Sequence, residues 1–309
     1  MSEKEWSGNT FGTAFMHRWL VRILRHSDVR IWYVFADIFV LPFCMLLSHG
    51  ARTARHYFRR RCGYGRWKSL WMTYLNHMLF AQVVIDKFAL YAGKSMNLEV
   101  VNGDAFRRLA GRKEGFVILS AHIGNYEMAG YELMSDSKPF NALVYGQEKA
   151  TVMEGRKSLF SGNNIRMIPI KSDMSHLFLM ERALAAGEIV SIPADRVFGS
   201  RRTVAVSLLG STADIPAGPF SVAAMRGLDV LAVNVMKTGT KKYTAYVTPL
   251  HYDKDQPRKV QVRQLADGYA AELERMLRKY PAQWYNYFEF WKKVNDRAAI
   301  LKDNIYSFR

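Results

Sequence analysis

The 309-residue sequence has only two cysteines, Cys44 and Cys62, and neither has a CxxC partner or a histidine at metal-ligand spacing. No zinc site or disulfide framework is expected, and a reduced, cytoplasm-facing setting fits. Neither G-x-G-x-x-G nor G-x-x-x-x-G-K-[ST] occurs in the required context, which argues against a nucleotide-dependent enzyme. There is no G-x-S-x-G elbow, and Ser120 falls inside an apolar run rather than on a sharp turn. The first residues lack a short apolar core followed by a small-residue cleavage site, so no cleaved signal peptide is expected. No fixed-period repeat occurs. Acids are also scarce: 27 Asp and Glu stand against 44 Lys and Arg, a formal charge of +17.

That excess predicts an anionic partner, whether nucleic acid, an anionic membrane surface or an acidic carrier protein. With 49% hydrophobic and 13% aromatic residues, the chain is neither disordered nor of low complexity. Its length permits one large domain or two small ones. The pattern changes near residue 95. Residues 1–94 read as a helical, aromatic, membrane-associating subdomain, and residues 95–309 as an α/β domain.

Within the first part, IWYVFADIFVLPFCMLLSH (31–49) approaches the span of about 20 residues that crosses a bilayer. Asp37 and Pro42 interrupt it, and a charge near mid-membrane costs roughly 2.5–3.5 kcal/mol. A spanning helix, a half-inserted interfacial segment and a buried soluble helix all remain open. ARTARHYFRRRCGYGRWK (51–68) follows, with seven Lys or Arg and no acid. Such residues beside an apolar segment are expected on the cytoplasmic side, where anionic headgroups are worth ~1 kcal/mol each. The interleaved Tyr57, Phe58, Tyr64 and Trp67 suit a membrane interface better than a solvated helix face. Residues 69–93 then read as one long helix ending at Gly93.

Beyond residue 95, short apolar or β-branched runs (NLEVV, FVILSA, NALVY, RMIPI, EIVSIPA, DVLAVNV) alternate with the helical patterns DAFRRLAGR, MEGRKSLFSG and MSHLFLMERALAAG. This rhythm predicts a mostly parallel sheet flanked by helices. RTVAVSLLG and KKYTAYVTPL add strands, antiparallel ones near an edge, before a charged helix over about 258–280 and an aromatic tail, PAQWYNYFEFWKK. Ligands gather outside the carboxyl ends of parallel strands. His122 directly follows FVILSA, Asp195 follows EIVSIPA, and Tyr145 and Gly146 end a third run, so these ends are expected to share one rim.

His122 and Glu127 form an H-x-x-x-x-E spacing. With a helix starting near Asn125, Glu127 stands in its first turn, where the helix dipole favours an anion. Gly124 would ease a close approach of backbone to substrate. The loop can turn the imidazole back to that carboxylate, leaving the second ring nitrogen as a general base. Spacing alone equally allows an incidental pair. No serine or cysteine nucleophile stands at the rim, so a basic His122 implies direct transfer to an acceptor. Arg156 and Asp195, taken alone, could be a solvated helix face and a strand-terminal cap.

Together these segments resemble the bacterial late acyltransferases of lipid A biosynthesis, the lauroyl/myristoyl acyltransferase family within the lysophospholipid acyltransferase superfamily. AHIGNYE is similar to the family's H-x-x-x-x-[DE] block, EGR (154–156) to its functional arginine and PAD (193–195) to its functional aspartate. PAGPFSVAAMRG and YPAQWYNYFEFWK resemble two later blocks. The resemblance implies a glycerolipid acyltransferase-like fold and transfer of a fatty acyl chain from an acyl carrier protein thioester to a hydroxyl of a membrane lipid. It implies His122 as general base, Glu127 as its orienting carboxylate, and Arg156 and Asp195 as substrate-positioning residues. No cofactor or metal is implied. Acyl carrier protein and anionic lipids are the implied partners, and the cytoplasmic face of the inner membrane is the implied location. Arg196 stands where many members carry glutamine, and Gly146 where an arginine often follows the Val-Tyr pair. These departures leave open a lipid A precursor, another lysolipid, an aminolipid or a pigment alcohol as acceptor. A lipid esterase and a basic nucleic-acid-binding protein are the rival readings, the latter without any nucleic-acid-binding motif.

Overall fold

The computed structural model describes residues 13–47, 49–129, 138–145, 152, 154–155, 164–171, 173–197 and 202–291. The chain begins with helices. Thr13 caps α1 (Ala14–His26) by accepting the Met16 amide, and Asp28 does the same for α2 (Val29–Phe35) through Arg30. A π-helical stretch, Ala36–Val40, leads into α3 (Leu41–Leu47) and then α4 (His49–Arg60). The apolar run over 31–49 is therefore not one uniform helix. At the π-helical stretch, Tyr74 Oη donates to the Asp37 carbonyl at 3.1 Å, and Gln82 Nε2 to its carboxylate at 3.4 Å. No single helix among the described residues is long and apolar enough to cross a membrane. Val29–Met45 and His49–Arg60 qualify only as a pair, bent by 93°.

Helix α5 (Arg66–Tyr91) runs 26 residues and stops before Gly93, which adopts φ +83°. Its end matches the expectation from sequence. On one side Ile85, Phe88 and Ala89 pack with Leu24, Val29 and Tyr33 of α1 and α2. On another, Val83 and Leu90 join the sheet core.

The sheet has seven strands: β1 (Asn97–Val101), β2 (Phe116–Ser120), β3 (Phe140–Tyr145), β4 (Ile165–Ile170), β5 (Ile189–Pro193), β8 (Val230–Gly239) and β9 (Lys242–Leu250). Their spatial order is β1-β9-β8-β2-β5-β3-β4, and every neighbouring pair is parallel except β8 with β9. KKYTAYVTPL is thus antiparallel to its hairpin partner, as expected, but lies one strand inside the edge because β1 covers it. RTVAVSLLG forms β6 (Thr203–Leu208), which pairs outside the main sheet with β7 (Ser211–Pro216). STADIP, the β7 segment, carries too few apolar residues to read as a strand on its own.

Strand β2 is buried at all five positions. Its side chains alternate between two cores, as period-two geometry requires. Val117 and Leu119 face Phe58 of α4, Met180 of α7 (Ser175–Ala185), Phe220 of α8 (Gly218–Arg226) and Leu265 of α9 (Arg258–Lys279). Phe116 and Ile118 face α5 and α6 (Gly103–Ala110). Helices on both faces explain the uninterrupted hydrophobic run, since neither side meets water. Each such large apolar side chain contributes about 1.5–3 kcal/mol on burial.

Polar groups also tie the helical part to the sheet. Lys237 of β8 meets Asp86 of α5 at 2.5 Å, with side-chain exposures of 3% and 0%. The hydroxyls of Tyr33 and Tyr243 both donate to the same carboxylate. A charge pair this deep is sustained only when its remaining hydrogen-bonding capacity is filled. The two tyrosines fill it.

Candidate active site

The parallel register of β2 and β5 pairs Ser120 with Pro193. Two further residues along each chain lead to His122 and Asp195, so the register itself sets them opposite each other. The strand ends are tied: the Ser120 carbonyl accepts from the Ala194 amide and from Tyr269 Oη, each at 2.9 Å. Asp195 then holds His122 twice. Its Oδ2 accepts the His122 backbone N–H at 3.0 Å, and its Oδ1 lies 2.7 Å from Nδ1.

An ionised carboxylate can only accept, so this contact places the proton on Nδ1 and the lone pair on Nε2. Burial pushes the His122 imidazolium below its ordinary value of 6.5 despite the attraction of Asp195, and the Arg196 charge acts in the same direction as burial. Burial acts to raise the Asp195 carboxyl, but His122, Arg196 and the His122 amide hold it below its ordinary value. The resulting state at neutral pH is a neutral ring beside an ionised carboxylate. That is the protonation state of a general base and its orienting partner.

The loop after His122 allows no side chain at Gly124. Its φ is +53°, and an added Cβ would lie 2.0 Å from the Val235 carbonyl oxygen. The same loop is stitched to neighbours by its backbone. Gly124 N–H donates to the Gln283 carbonyl at 2.9 Å, Asn125 N–H to the Val235 carbonyl at 2.8 Å, and Ile123 bridges Trp284. The aromatic tail therefore fixes the position of the histidine. Arg196 adds to this seam by donating to the Tyr285 carbonyl at 3.0 Å. The His122 and Tyr126 rings meet edge-to-face at 5.1 Å.

Glu127 sits in a 3-10 turn, Tyr126–Met128, rather than in the first turn of an α-helix starting at Asn125. Lys87 Nζ of α5 donates to its Oε1 at 2.8 Å, and Tyr91 Oη lies 3.5 Å from Oε2. The charge of Glu127 reaches His122 and favours its protonated form, as the smallest of several contributions. The contact expected of Glu127, holding one ring nitrogen of His122, is made at Nδ1 by Asp195. The physical reason is geometric: a strand-end loop bends the imidazole toward the adjacent parallel strand, and Glu127 turns toward α5.

Of the sequence-derived candidates, the structure brings together His122 and Asp195, with Glu127 close behind. Arg156 lies outside the described residues, as do Gly146 and most of the helix expected over 153–162. Tyr145 ends β3, which pairs with both β4 and β5. Spacing missed Lys87 and Tyr91, although the adjacent opposite charges of Asp86 and Lys87 within the apolar run QVVIDKFALY were a signal. Among the described residues no group of three or more His, Cys, Asp or Glu side chains could hold a metal ion. Cys44 and Cys62 are free.

Two cavities, of about 210 and 290 Å³, open at the opposite ends of the strands. Several of their charged groups are engaged: Arg112 and Lys254 with Asp229, and Lys138 with three backbone carbonyls. The His122 rim lies at the other end of the strands, where the ligand side of a parallel sheet is expected.

No curated protein matches the chain. Among solved structures, the 1-acyl-sn-glycerophosphate (LPA) acyltransferase PlsC from Thermotoga maritima is similar at 11% sequence identity and a TM-score of 0.38, covering 88% of this chain and 99% of that chain. That likeness is too distant to argue from. The profile of the bacterial lipid A biosynthesis acyltransferases matches residues 86–293, well over half of the sequence and all of the His122 rim, and the chain belongs to that family of acyltransferases acting on lipid.

Proposed function

We propose that the protein moves a fatty acyl chain from an acyl carrier protein thioester to a hydroxyl of a membrane lipid, a lipid A precursor, at the cytoplasmic face of the inner membrane. The observation that carries the reaction is the His122–Asp195 pair at the rim, a neutral imidazole with Nδ1 fixed by an ionised carboxylate. In this reading Nε2 takes the acceptor hydroxyl proton as the oxygen attacks the thioester carbonyl carbon. The new C–O bond forms, and Asp195 stabilises the imidazolium. Collapse of the tetrahedral intermediate breaks the C–S bond, and the imidazolium returns the proton to the departing thiolate. The products are an ester and the free carrier thiol, with no covalent enzyme intermediate and no cofactor. Arg156 is assigned to substrate positioning, as the resemblance implies.

The location is supported by the outer face of the helical part. Phe39, Phe43, Trp67 and Trp71 are 67%, 66%, 76% and 61% exposed, and Arg59 and Arg60 of α4 and Arg66 and Lys68 of α5 are exposed as well. Exposed aromatics together with exposed cations match an anionic lipid surface. The same positive charge would favour an acidic carrier protein.

The test is His122→Ala in detergent-solubilised full-length protein. Transfer of a labelled lauroyl chain should fall by about 10²–10⁴-fold, with circular dichroism unchanged. Undiminished transfer removes His122 from the mechanism. Free fatty acid released without an acceptor would instead favour an esterase. Lipid mass spectrometry after gene deletion should find a lipid A species lacking one acyl chain.

A further inference from the structure

We infer that Asn76 of α5 and Gln283 of the aromatic tail are positioning residues for His122, acting through the tail segment Ala282–Tyr285. Asn76 is buried, and its Nδ2 donates to two carbonyls of the tail, those of Ala282 and Trp284, at 2.9 Å each. Gln283, between those two residues and also buried, is held to a different element. Its Oε1 accepts the Lys237 N–H of β8 at 2.8 Å, and its Nε2 donates to the Lys237 carbonyl at 2.7 Å. The side-chain amide thereby satisfies both backbone groups of one β8 residue, as a neighbouring strand would.

The segment clamped in this way is the one that grips the histidine loop. The Gln283 carbonyl accepts Gly124 N–H at 2.9 Å, Ile123 bridges Trp284, and Tyr285 N–H reaches the His122 carbonyl at 3.4 Å. Three consecutive loop residues therefore meet the tail. Strand β8 holds the loop once directly, through Asn125 N–H and the Val235 carbonyl, and once through Gln283. Phe80, four residues after Asn76 and on the same face of α5, adds a ring contact to Tyr285 at 5.0 Å.

The choice of amides over apolar side chains has a consequence for the base. Apolar packing resists separation but tolerates small slides, whereas hydrogen bonds accept a narrow range of distance and angle. The four bonds made by Asn76 and Gln283 fix where the tail stands against α5 and β8. A tail that slid would carry the His122 backbone with it, while Asp195 stays at the end of β5. The 2.7 Å contact at Nδ1 would then be lost. A misplacement of about 1 Å at a reacting group can cost on the order of 10²-fold in rate.

The kinetic arm of the test rests on the acyl-transfer reading; the spectroscopic arm does not. It uses solubilised full-length protein with Asn76→Leu or Gln283→Met, each close in size to the native side chain but without its hydrogen bonds. The same changes are made in a His122→Ala background. Met180→Ala, a cavity in the core at α7, controls for lost stability. The His122 ring is read as the Nδ1 proton signal in protein labelled with nitrogen-15 histidine, assigned by its loss in His122→Ala. Transfer is read with lauroyl acyl carrier protein at a temperature where circular dichroism shows every variant folded.

Asn76→Leu and Gln283→Met should each displace or abolish the Nδ1 proton signal and lower kcat by on the order of 10–10²-fold, with KM nearly unchanged. In the His122→Ala background they should lower the residual transfer no further, because residues that act as a unit are not additive. Met180→Ala should leave both the signal and kcat in place. Gln283→Met acts from β8, so it carries the test even if Asn76→Leu does not fold. A native Nδ1 signal in a folded variant overturns the inference for that residue. An equal fall in transfer with and without His122, or the same signal loss in Met180→Ala, overturns it altogether. A displaced signal with native kcat would leave the tether standing and remove His122 as the base.

Discussion

The β2–β5 rim and the helices before residue 94 treat polarity in opposite ways. At the rim, charged groups are taken inside and given named partners: His122 with Asp195, and Glu127 with Lys87, which α5 supplies. In the leading helices, aromatic side chains are left outside, with Phe15 at 70% and Phe39 at 67% exposure. Buried charge costs free energy unless it is paired and hydrogen-bonded, so the rim is rigid by necessity. Exposed apolar surface costs free energy in water until something apolar covers it. One region is complete by itself, whereas the other is built to be covered.

Removing the charge that organises the rim should have the largest effect. Asp195→Asn replaces an acceptor-only group with an amide and disturbs both the His122 N–H and Nδ1 contacts, so acyl transfer should fall by about 10²-fold or more. The pH profile sharpens this test. In the native protein the folded His122 value lies below 6.5, so the base stays neutral, and transfer persists, until the pH falls beneath that value. Loss of the Asp195 anion removes a negative charge that favours the imidazolium, so the remaining acid limb should move lower still. A limb that moved upward would contradict the assigned partner.

The next test breaks the buried pair that joins the two regions. Asp86→Asn leaves the Lys237 ammonium, 3% exposed, without its counter-charge, and should lower stability by about 3–5 kcal/mol. Urea unfolding measures it directly. A loss below ~1 kcal/mol would mean that the tyrosines alone satisfy Lys237.

The smallest effect is expected on the outward face. Phe39→Glu should leave transfer to a detergent-dispersed acceptor unchanged and weaken co-sedimentation with anionic vesicles by on the order of tenfold, because a partly inserted phenyl ring is worth roughly 1–3 kcal/mol. Equal vesicle binding would remove that face from the proposed membrane contact.

Much of the fold was legible from local pattern. Apolar β-branched runs marked all seven strands of the main sheet, and Gly93 marked the end of α5 because its positive φ suits a helix stop. STADIP was missed because its pairing partner, not its own composition, makes it a strand. His122 and Asp195 were legible as strand-end residues. Their mutual contact was not, because 73 residues separate them and only the parallel register aligns their strands. Glu127 illustrates the converse: five residues from His122 in sequence, it accepts from a lysine on a helix 40 residues earlier.

By itself the sequence determined which segments become buried strands, that a histidine stands at the carboxyl end of one of them, and that the surface is strongly basic. These are local properties, set by side-chain periodicity and charge. Tertiary structure decided which carboxylate serves that histidine, which helix holds the other carboxylate, and which glycines are irreplaceable. Those are questions of distance between chain segments remote in sequence. A hydrogen bond of 2.7 Å depends on how strands align, which no spacing of residues along one chain can specify.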